Sequence, residues 1–504
     1  MSENKNSILL NWDSDAERFF LEHLEDWSDV EDAAKAYLDT YYKDTGIGDL
    51  IFCILCQYSV MPSRVFTDMV SRYHCREEGG IPVDYSESAN VKYTGICHEQ
   101  HGVYPTKVWI EHCKEIGIRP WISLRMNDCH DPDAETSVLR SEFFYEAKTN
   151  GWMLGEEYGY FRNCFNYAIP QVRQTFLDYL EEQLSVLDVY GVELDFMREP
   201  LCFDVLHKKD AAPIMNEFME KAKAIVSRCE AIHGHPIKVM VRLPRDIHLC
   251  LEVGFDAVYW ARHGLVDSIV PTGRFRTTDT GMPIAEWVEM LSPYGVEVYA
   301  GLEALLPSRV LGRLQNNLET AKGHTAQYAA QGSARTYLYN IYHPYLASPG
   351  GIWETPEVIK EIWATIGDPE KCTKGVRRHM LTFDDTYEWF PGRRLWKPLP
   401  VTVGEGVTLD VQTGPITPTS ELTLYLAVKG AAPQSLQVTF NGQPCTYLDH
   451  SAAPYMLRSG DYTTEEIAAF RLPTDVTCPV TQQVAVCGDP AAEIHALELA
   501  IDAG

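Results

Sequence analysis

Gly191-Val-Glu-Leu-Asp-Phe-Met-Arg-Glu-Pro200 is the stretch whose reading decides the fold. Val192, Leu194 and Phe196 alternate with Glu193 and Asp195, which is the period of a β-strand. Just upstream, Val172, Phe176, Leu180, Leu184 and Leu187 recur at helical spacing behind Pro170, a favoured first-turn residue. A strand fed by such a helix is covered on both faces, so its two acids do not point into water. Acids in that position are costly unless they are paired or used. Arg198 and Pro200 end the strand and deliver a charged cluster to one rim of the fold.

The same alternation extends in both directions. Strands are predicted over residues 7–13, 50–57, 119–125, 237–242, 267–271, 296–302 and 335–340. Helices are predicted over 27–42, 105–116, 213–232, 246–261, 284–291 and 318–331. With the opening stretch as the fourth strand, eight strands separated by helices predict an α/β fold, a (β/α)8 TIM barrel. The roughly 340 residues used suit a barrel with insertions. The longest insertions are 58–102, with Arg72-Tyr-His74 and His98-Glu-Gln-His101, and an aromatic-rich segment that ends near Asn166.

Past about Gly375 the helical spacing vanishes. Short runs around Val407, Leu422 and Leu436 are separated by Gly, Pro, Asn and Asp, and Phe440-Asn-Gly-Gln443 reads as a hairpin turn. We therefore expect a barrel domain over 1–372 and an all-β sandwich domain over 373–504.

The chain has 504 residues, 45% hydrophobic and 23% charged, with 43 basic and 71 acidic side chains and a net charge of −28. That excess of acid argues against nucleic acid or an anionic membrane surface as partner. No run approaches membrane-spanning length, and the first residues lack a charged-then-apolar leader pattern, so a cytoplasmic protein is expected. Cys53 and Cys56 form a C-x-x-C inside the apolar run Leu50-Ile-Phe-Cys-Ile-Leu-Cys56, which reads as buried thiols in a reducing compartment. No motif calls for a cofactor or a bound metal. A homo-oligomer is possible.

In a barrel of this class the site lies at the C-terminal strand ends. Those ends carry Asn11 and Asp13, then Gln57, then Arg125, Asn127, Asp128 and His130, then Glu193, Asp195 and Arg198. Beyond them come Arg242, Glu303, and Tyr339 with Asn340, Tyr342 and His343. The period of two aims Glu193 and Asp195 the same way, with Asp195 nearer the rim and Glu193 deeper, where Arg125 or Arg242 could neutralise it. Two carboxylates reaching one pocket, Asp195 and Glu303, suit glycosidic cleavage: one protonates the leaving oxygen while the other attacks the sugar or activates water. Tyr145, Trp152, Tyr158, Tyr160, Trp260, Tyr339 and Tyr342 could offer apolar platforms to sugar faces.

The opening stretch resembles the G-I-x-x-D-[YF]-x-R-x-P strand of the glycoside-hydrolase-like TIM-barrel proteins, bacterial glycosidases that often carry a β-sandwich behind the barrel. Gly191, Asp195, Phe196, Arg198 and Pro200 match; Tyr190 stands where the family often has Asp. The resemblance extends over residues 1–370 through strand order. It implies glycoside hydrolysis with an acid at Asp195 and leaves the sugar open. The expected function is therefore a glycosidase acting on an oligosaccharide or glycoside. Asn11, Asp13, Arg125, Asn127, Asp128, His130, Glu193, Arg198, Arg242 and Tyr339 are the expected substrate contacts. The rim arginines make an acidic sugar worth testing.

Two other classes compete. Asp128, His130, Glu193 and Asp195 could ligate a divalent cation in a metal-dependent sugar lyase or isomerase. Alternatively, barrel and sandwich could hold glycan without turnover. Tyr425, Tyr447 and Tyr455 could bind sugar on the sandwich, although bracing or an oligomer contact suits it better.

Overall fold

The computed structural model describes residues 7–13, 15–71, 76–78, 81–83, 88–130, 133, 136–207, 211–274, 278–306, 314–339, 347, 349, 353–382, 397–448, 455 and 463–504. Eight strands close into a barrel: β1 (Ile8–Trp12), β2 (Ile47–Leu55), β3 (Arg119–Arg125), β4 (Gly191–Asp195), β5 (Lys238–Pro244), β6 (Ser268–Thr272), β7 (Glu297–Leu302) and β8 (Arg335–Leu338). Each strand lies beside its neighbour in sequence, and β8 lies beside β1. β2, β3, β4 and β5 pair in parallel, as do β7 and β8. Parallel neighbours need a crossover, and helices such as Pro105–Glu115, Pro170–Val186 and Ala212–His233 supply it.

Every residue of β3 and β4 is buried, as strands covered on both faces must be. The glycine that opens β4 has a steric cause. A Cβ on Gly191 would stand 2.2 Å from the ring of Trp121 on the adjacent strand. That indole is pinned by its Nε1–H to Asp49 Oδ1 at 2.8 Å, and Asp49 is also held by Arg119 at 2.8 and 2.6 Å. Tyr190 meets the Trp121 ring edge-on at 5.4 Å and lies under the Arg119 guanidinium at 4.8 Å. Asp49 also explains why β2 starts earlier than the apolar run suggests: an acid buried by its arginine belongs to the strand.

The helix expected over 246–261 is two helices, Ile247–Glu252 and Ala257–Arg262. Gly254 between them has φ +102°, and a Cβ there would strike Phe203 and Ala211. A left-handed residue in close contact breaks the helix, although the apolar spacing runs on. A helix at Pro356–Ile366 follows β8. No helix among the described residues is long and apolar enough to cross a membrane.

The C-terminal region forms two antiparallel sheets. One runs in the order Val376–Met380, Glu493–Asp502, Glu421–Lys429, Ile467–Arg471, Thr446–Leu448. The other runs Val407–Gln412, Thr481–Cys487, Gln437–Phe440, Gln443–Pro444. Leu422, Leu424, Leu426 and Val428 project together into a core shared with Phe440, Val484 and Val486 of the second sheet. The alternate residues Tyr425 and Ala427 are buried on the other face with Tyr455. The hairpin at Asn441-Gly442 is as expected: both have positive φ, and Phe440 pairs with Gln443.

By packing, the chain falls into two units. Leu9–Pro271 with Glu289–Glu297 make one, and Thr272–Val288 with Val298–Gly504 make the other.

Candidate active site

Register builds the site in rungs. Ser123 of β3, Glu193 of β4 and Met240 of β5 stand opposite one another. Two residues further along stand Arg125, Asp195 and Arg242. A spacing of two keeps both rungs on the same face of the sheet.

The lower rung holds Glu193, which is fully buried. Its Oε1 accepts from Asn11 Nδ2 at 2.8 Å and from Ser123 Oγ at 2.6 Å. The sequence suggested that Arg125 or Arg242 would neutralise Glu193. The register sets Arg125 and Arg242 beside Asp195, and Arg125 also bridges two aspartates of the rim. The two neutral donors on Oε1 offset part of the cost of burying this acid.

In the upper rung Asp195 is also fully buried. Its Oδ1 accepts the backbone N–H groups of Met197 and Arg198 at 2.9 and 3.0 Å. Arg242 Nη1 lies 3.0 Å from Oδ1 and 3.2 Å from Oδ2. The two N–H contacts form an Asx-type turn that ends the strand and aims Arg198 across the rim.

The rim itself is a chain of alternating charge. Arg125 bridges Asp13 Oδ1 at 3.1 Å and Asp128 Oδ2 at 3.2 Å. Asp128 Oδ1 accepts the His130 N–H at 3.1 Å and contacts His130 Nδ1. Arg198 sets Nε 3.8 Å from Asp128 Oδ2 and brings Nη2 against His130 Nε2. Burial pushes the Asp128 carboxyl up, but His130, Arg198 and Arg125 together outweigh it and hold the group well below the usual carboxylate range. Asp13 and His130 are the members that reach solvent, with side chains 20% and 30% exposed.

Asn127, an expected substrate contact, is bonded to backbone in this structure. Its Nδ2 donates to the carbonyls of Phe165 and Leu201, both at 3.1 Å, and its Oδ1 accepts from Phe165 N–H at 2.8 Å. The amide ties two loops together, and a substrate would have to displace those bonds to use it. Asp131 lies outside the described residues.

Two acids near the cluster escaped the sequence reading. Glu199, inside the opening stretch, is buried and accepts from Tyr160 OH at 3.3 Å. Its signal was its place between Arg198 and Pro200, hidden because it lies beyond the alternating part. Asp15 follows Asp13 by two residues; burial and then the Asp13 charge raise its carboxyl, against Arg18, Arg125 and the Asn90 amide.

Glu303 follows β7 in the second unit and is buried. Its carbonyl accepts from Thr278 Oγ1 at 2.6 Å and Asn316 Nδ2 at 2.8 Å, which fixes the backbone that carries the carboxylate. Tyr339 is fully buried just past β8, its N–H on Leu302 O at 3.0 Å. Asn340, Tyr342 and His343 lie outside the described residues, as do Arg72, Tyr73 and His74.

Among the aromatics, Trp260 is core: it is fully buried, with Nε1 on Asn216 Oδ1 at 2.7 Å. Tyr158 is buried against Asp204, whereas Tyr145, Trp152 and Tyr160 remain partly open. On the sandwich, Tyr425 and Tyr455 are buried in a core cluster and Tyr447 packs at the edge of another. Cys53 and Cys56 are buried free thiols, and burial pushes Cys53 up to about 12.

The cation-ligand set Asp128, His130, Glu193 and Asp195 does not converge. Among the described residues no three of their ligand atoms lie within 4.8 Å of one another; Glu157, Asp204 and His207 do. In that group Asp204 Oδ1 already accepts from Tyr158 OH at 2.6 Å and from His207 Nδ1 at 2.9 Å.

Solved structures similar to this chain include several carbohydrate enzymes. One is a cycloisomaltooligosaccharide glucanotransferase from Paenibacillus sp., at 9% identity and a TM-score of 0.33, covering 98% of this chain and 58% of that one. Another is α-L-fucosidase isoenzyme 2 from Paenibacillus thiaminolyticus, at 13% identity and a TM-score of 0.41, covering 74% and 51%. A family GH18 chitinase from Chromobacterium violaceum has 11% identity and a TM-score of 0.36, covering 99% and 88%. The chain spans about half to three-fifths of the length of the first two. No family model and no curated protein matches it. The barrel follows from this chain's own strand order, and the activities named are those of the other proteins.

Proposed function

We propose that the protein is a glycoside hydrolase cleaving an oligosaccharide or glycoside at the C-terminal ends of its barrel strands. The observation that carries this reading is the rim cluster Asp13–Arg125–Asp128–His130–Arg198 above the buried Asp195–Arg242 pair. It supports a site of fixed polar groups, open to solvent at Asp13 and His130, in the position where barrels of this class bind ligand. In our reading Asp195 and Glu303 are the carboxylate pair. The donors around Asp195 suit the base or nucleophile role, which leaves Glu303 to protonate the departing oxygen.

Each arginine of the cluster faces an aspartate. Arg125 meets Asp13 and Asp128, Arg198 meets Asp128, and Arg242 meets Asp195. Matched charges favour a neutral sugar over the acidic one that the arginines alone suggested. We take residues 1–372 as the catalytic domain and 373–504 as an accessory sandwich that braces it or an oligomer. The buried free thiols support a reducing, cytoplasmic location.

The test is a panel of aryl glycosides and natural oligosaccharides offered to the parent, Asp195→Asn and Glu303→Gln. The expected result is cleavage of at least one neutral glycoside by the parent, with turnover in each variant reduced about a thousandfold or more while saccharide binding persists. A folded parent that cleaves nothing on the panel overturns the reading.

A further inference from the structure

We propose that Gln57 is a substrate-holding residue, whose side-chain carbonyl accepts a hydroxyl of the bound sugar at the end of β2. This rests on the carbohydrate-binding part of the reading above. The pairing of β2 with β3 slips between Cys53 and Leu55, so a bulge precedes the end of the strand. Such bulges re-aim side chains, often beside active sites.

The chain then reverses within three residues. Tyr58 N–H donates to Cys56 O at 2.9 Å, and Cys56 N–H donates to Tyr58 O at 3.0 Å. Gln57, between them, has φ +60°. A hydrogen bond from residue i+2 back to i around a positive φ is the rare, strained form of γ-turn. Glycine would adopt it without cost, yet a glutamine is held there.

The side chain carries a second cost. Gln57 is 4% exposed; its Nε2 donates to His130 O at 3.4 Å, and its Oε1 has no hydrogen-bond partner among the described residues. A buried amide oxygen with no donor loses its hydration and gains nothing in return. A methionine would fill the same space without that loss. Strained backbone and an orphaned acceptor coincide on one residue, which is bonded to the loop that carries His130. Both costs are accounted for if a donor arrives with the ligand. Arg125, Arg198 and Arg242 already face aspartates, so the arriving donor is a neutral hydroxyl, of which a sugar supplies several.

Gln57→Gly and Gln57→Met test this together with the parent. Glycine relieves the turn, so Gln57→Gly is expected to melt at or above the parent temperature; methionine keeps the bulk and removes the acceptor. Both variants should bind saccharide about tenfold more weakly, seen as a raised KM with little change in kcat. A series of monodeoxy glycosides should contain one that the parent handles about tenfold less well and Gln57→Met handles like the full sugar. Calorimetric titration with glucose, galactose, mannose, xylose and fucose runs in parallel. If the parent binds one of these but cleaves no glycoside, hydrolysis is excluded and Gln57 is still tested through the affinity loss. Parent-like affinity in both variants, or no binding of any of these sugars by the parent, overturns the proposal.

Discussion

Arg242 holds Nη1 3.0 Å from Asp195 Oδ1 and 3.2 Å from Oδ2, and both side chains are buried. The pair exists because β4 and β5 set the two residues opposite each other in register. Removing one partner strands a charge in a dry interior. Arg242→Met is therefore expected to cost about 3–5 kcal/mol of unfolding free energy in urea titrations. Asp195→Asn keeps an oxygen for the Met197 and Arg198 N–H groups and should cost less. The double variant should regain much of the loss; a double variant as unstable as Arg242→Met would show that the pair is not what binds the two strands.

Gly191 is required by the Trp121 ring, 2.2 Å from where a Cβ would stand. The ring cannot retreat without releasing Asp49, which its Nε1–H contacts at 2.8 Å. Gly191→Ala should lose about 1–3 kcal/mol or more as an overpacked core. Trp121→Leu in the same chain should recover part of the deficit in thermal melts. Equal melting temperatures for Gly191→Ala and the parent would refute this packing account.

His324 is fully buried, neither ring nitrogen has a hydrogen-bond partner among the described residues, and burial pushes its pKa down from 6.5 to about 3. The unfolded chain takes up this proton near pH 6.5, and the folded chain does not until about pH 3. Stability is therefore full above pH 6.5 and falls as the pH drops toward 3, by at most about 1.4 kcal/mol per pH unit for this group. His379 is shifted the same way, by burial and then by the Arg377 and His324 charges. His324→Leu should flatten the slope of unfolding free energy between pH 6 and 4, and an unchanged slope would assign it elsewhere.

Asp128 has the opposite sign. Its lowered pKa means that it adds stability above the ordinary value of 3.8, which is lost as the pH falls below that point. Across any working range it stays ionised, holding Arg125, His130 and Arg198 in place. Asp128→Asn should lower kcat/KM by about tenfold or more without moving the acidic limb of the pH–rate profile. A displaced limb would make Asp128 a proton-transfer group instead.

Much of this architecture is local and was therefore legible in the chain. Residues 119–125 read as a strand and are β3, and Pro105 and Pro170 open the helices they announce. Asn441-Gly442 specifies its hairpin through two positive φ values. Alternation, first-turn prolines and turn residues act over a few positions, so one sequence displays them. The mostly helical stretch 246–261 is interrupted for a reason that is not local: Gly254 turns where Phe203 and Ala211 press against it.

The sequence by itself determined the eight strands, the sandwich behind them and the set of polar residues at the strand ends. Tertiary structure decided how those residues are used. Register, a relation between distant segments, sets Arg242 opposite Asp195, and barrel closure brings Asn11 and Ser123 onto Glu193. Loop packing turns Asn127 inward to backbone carbonyls and joins Asp13 to Asp128 through Arg125. The strained turn at Gln57 depends on a bulge against β3, which the composition of β2 does not announce. Residue type specifies which charges and donors exist, whereas partner choice depends on distances across the barrel that only the closed fold sets.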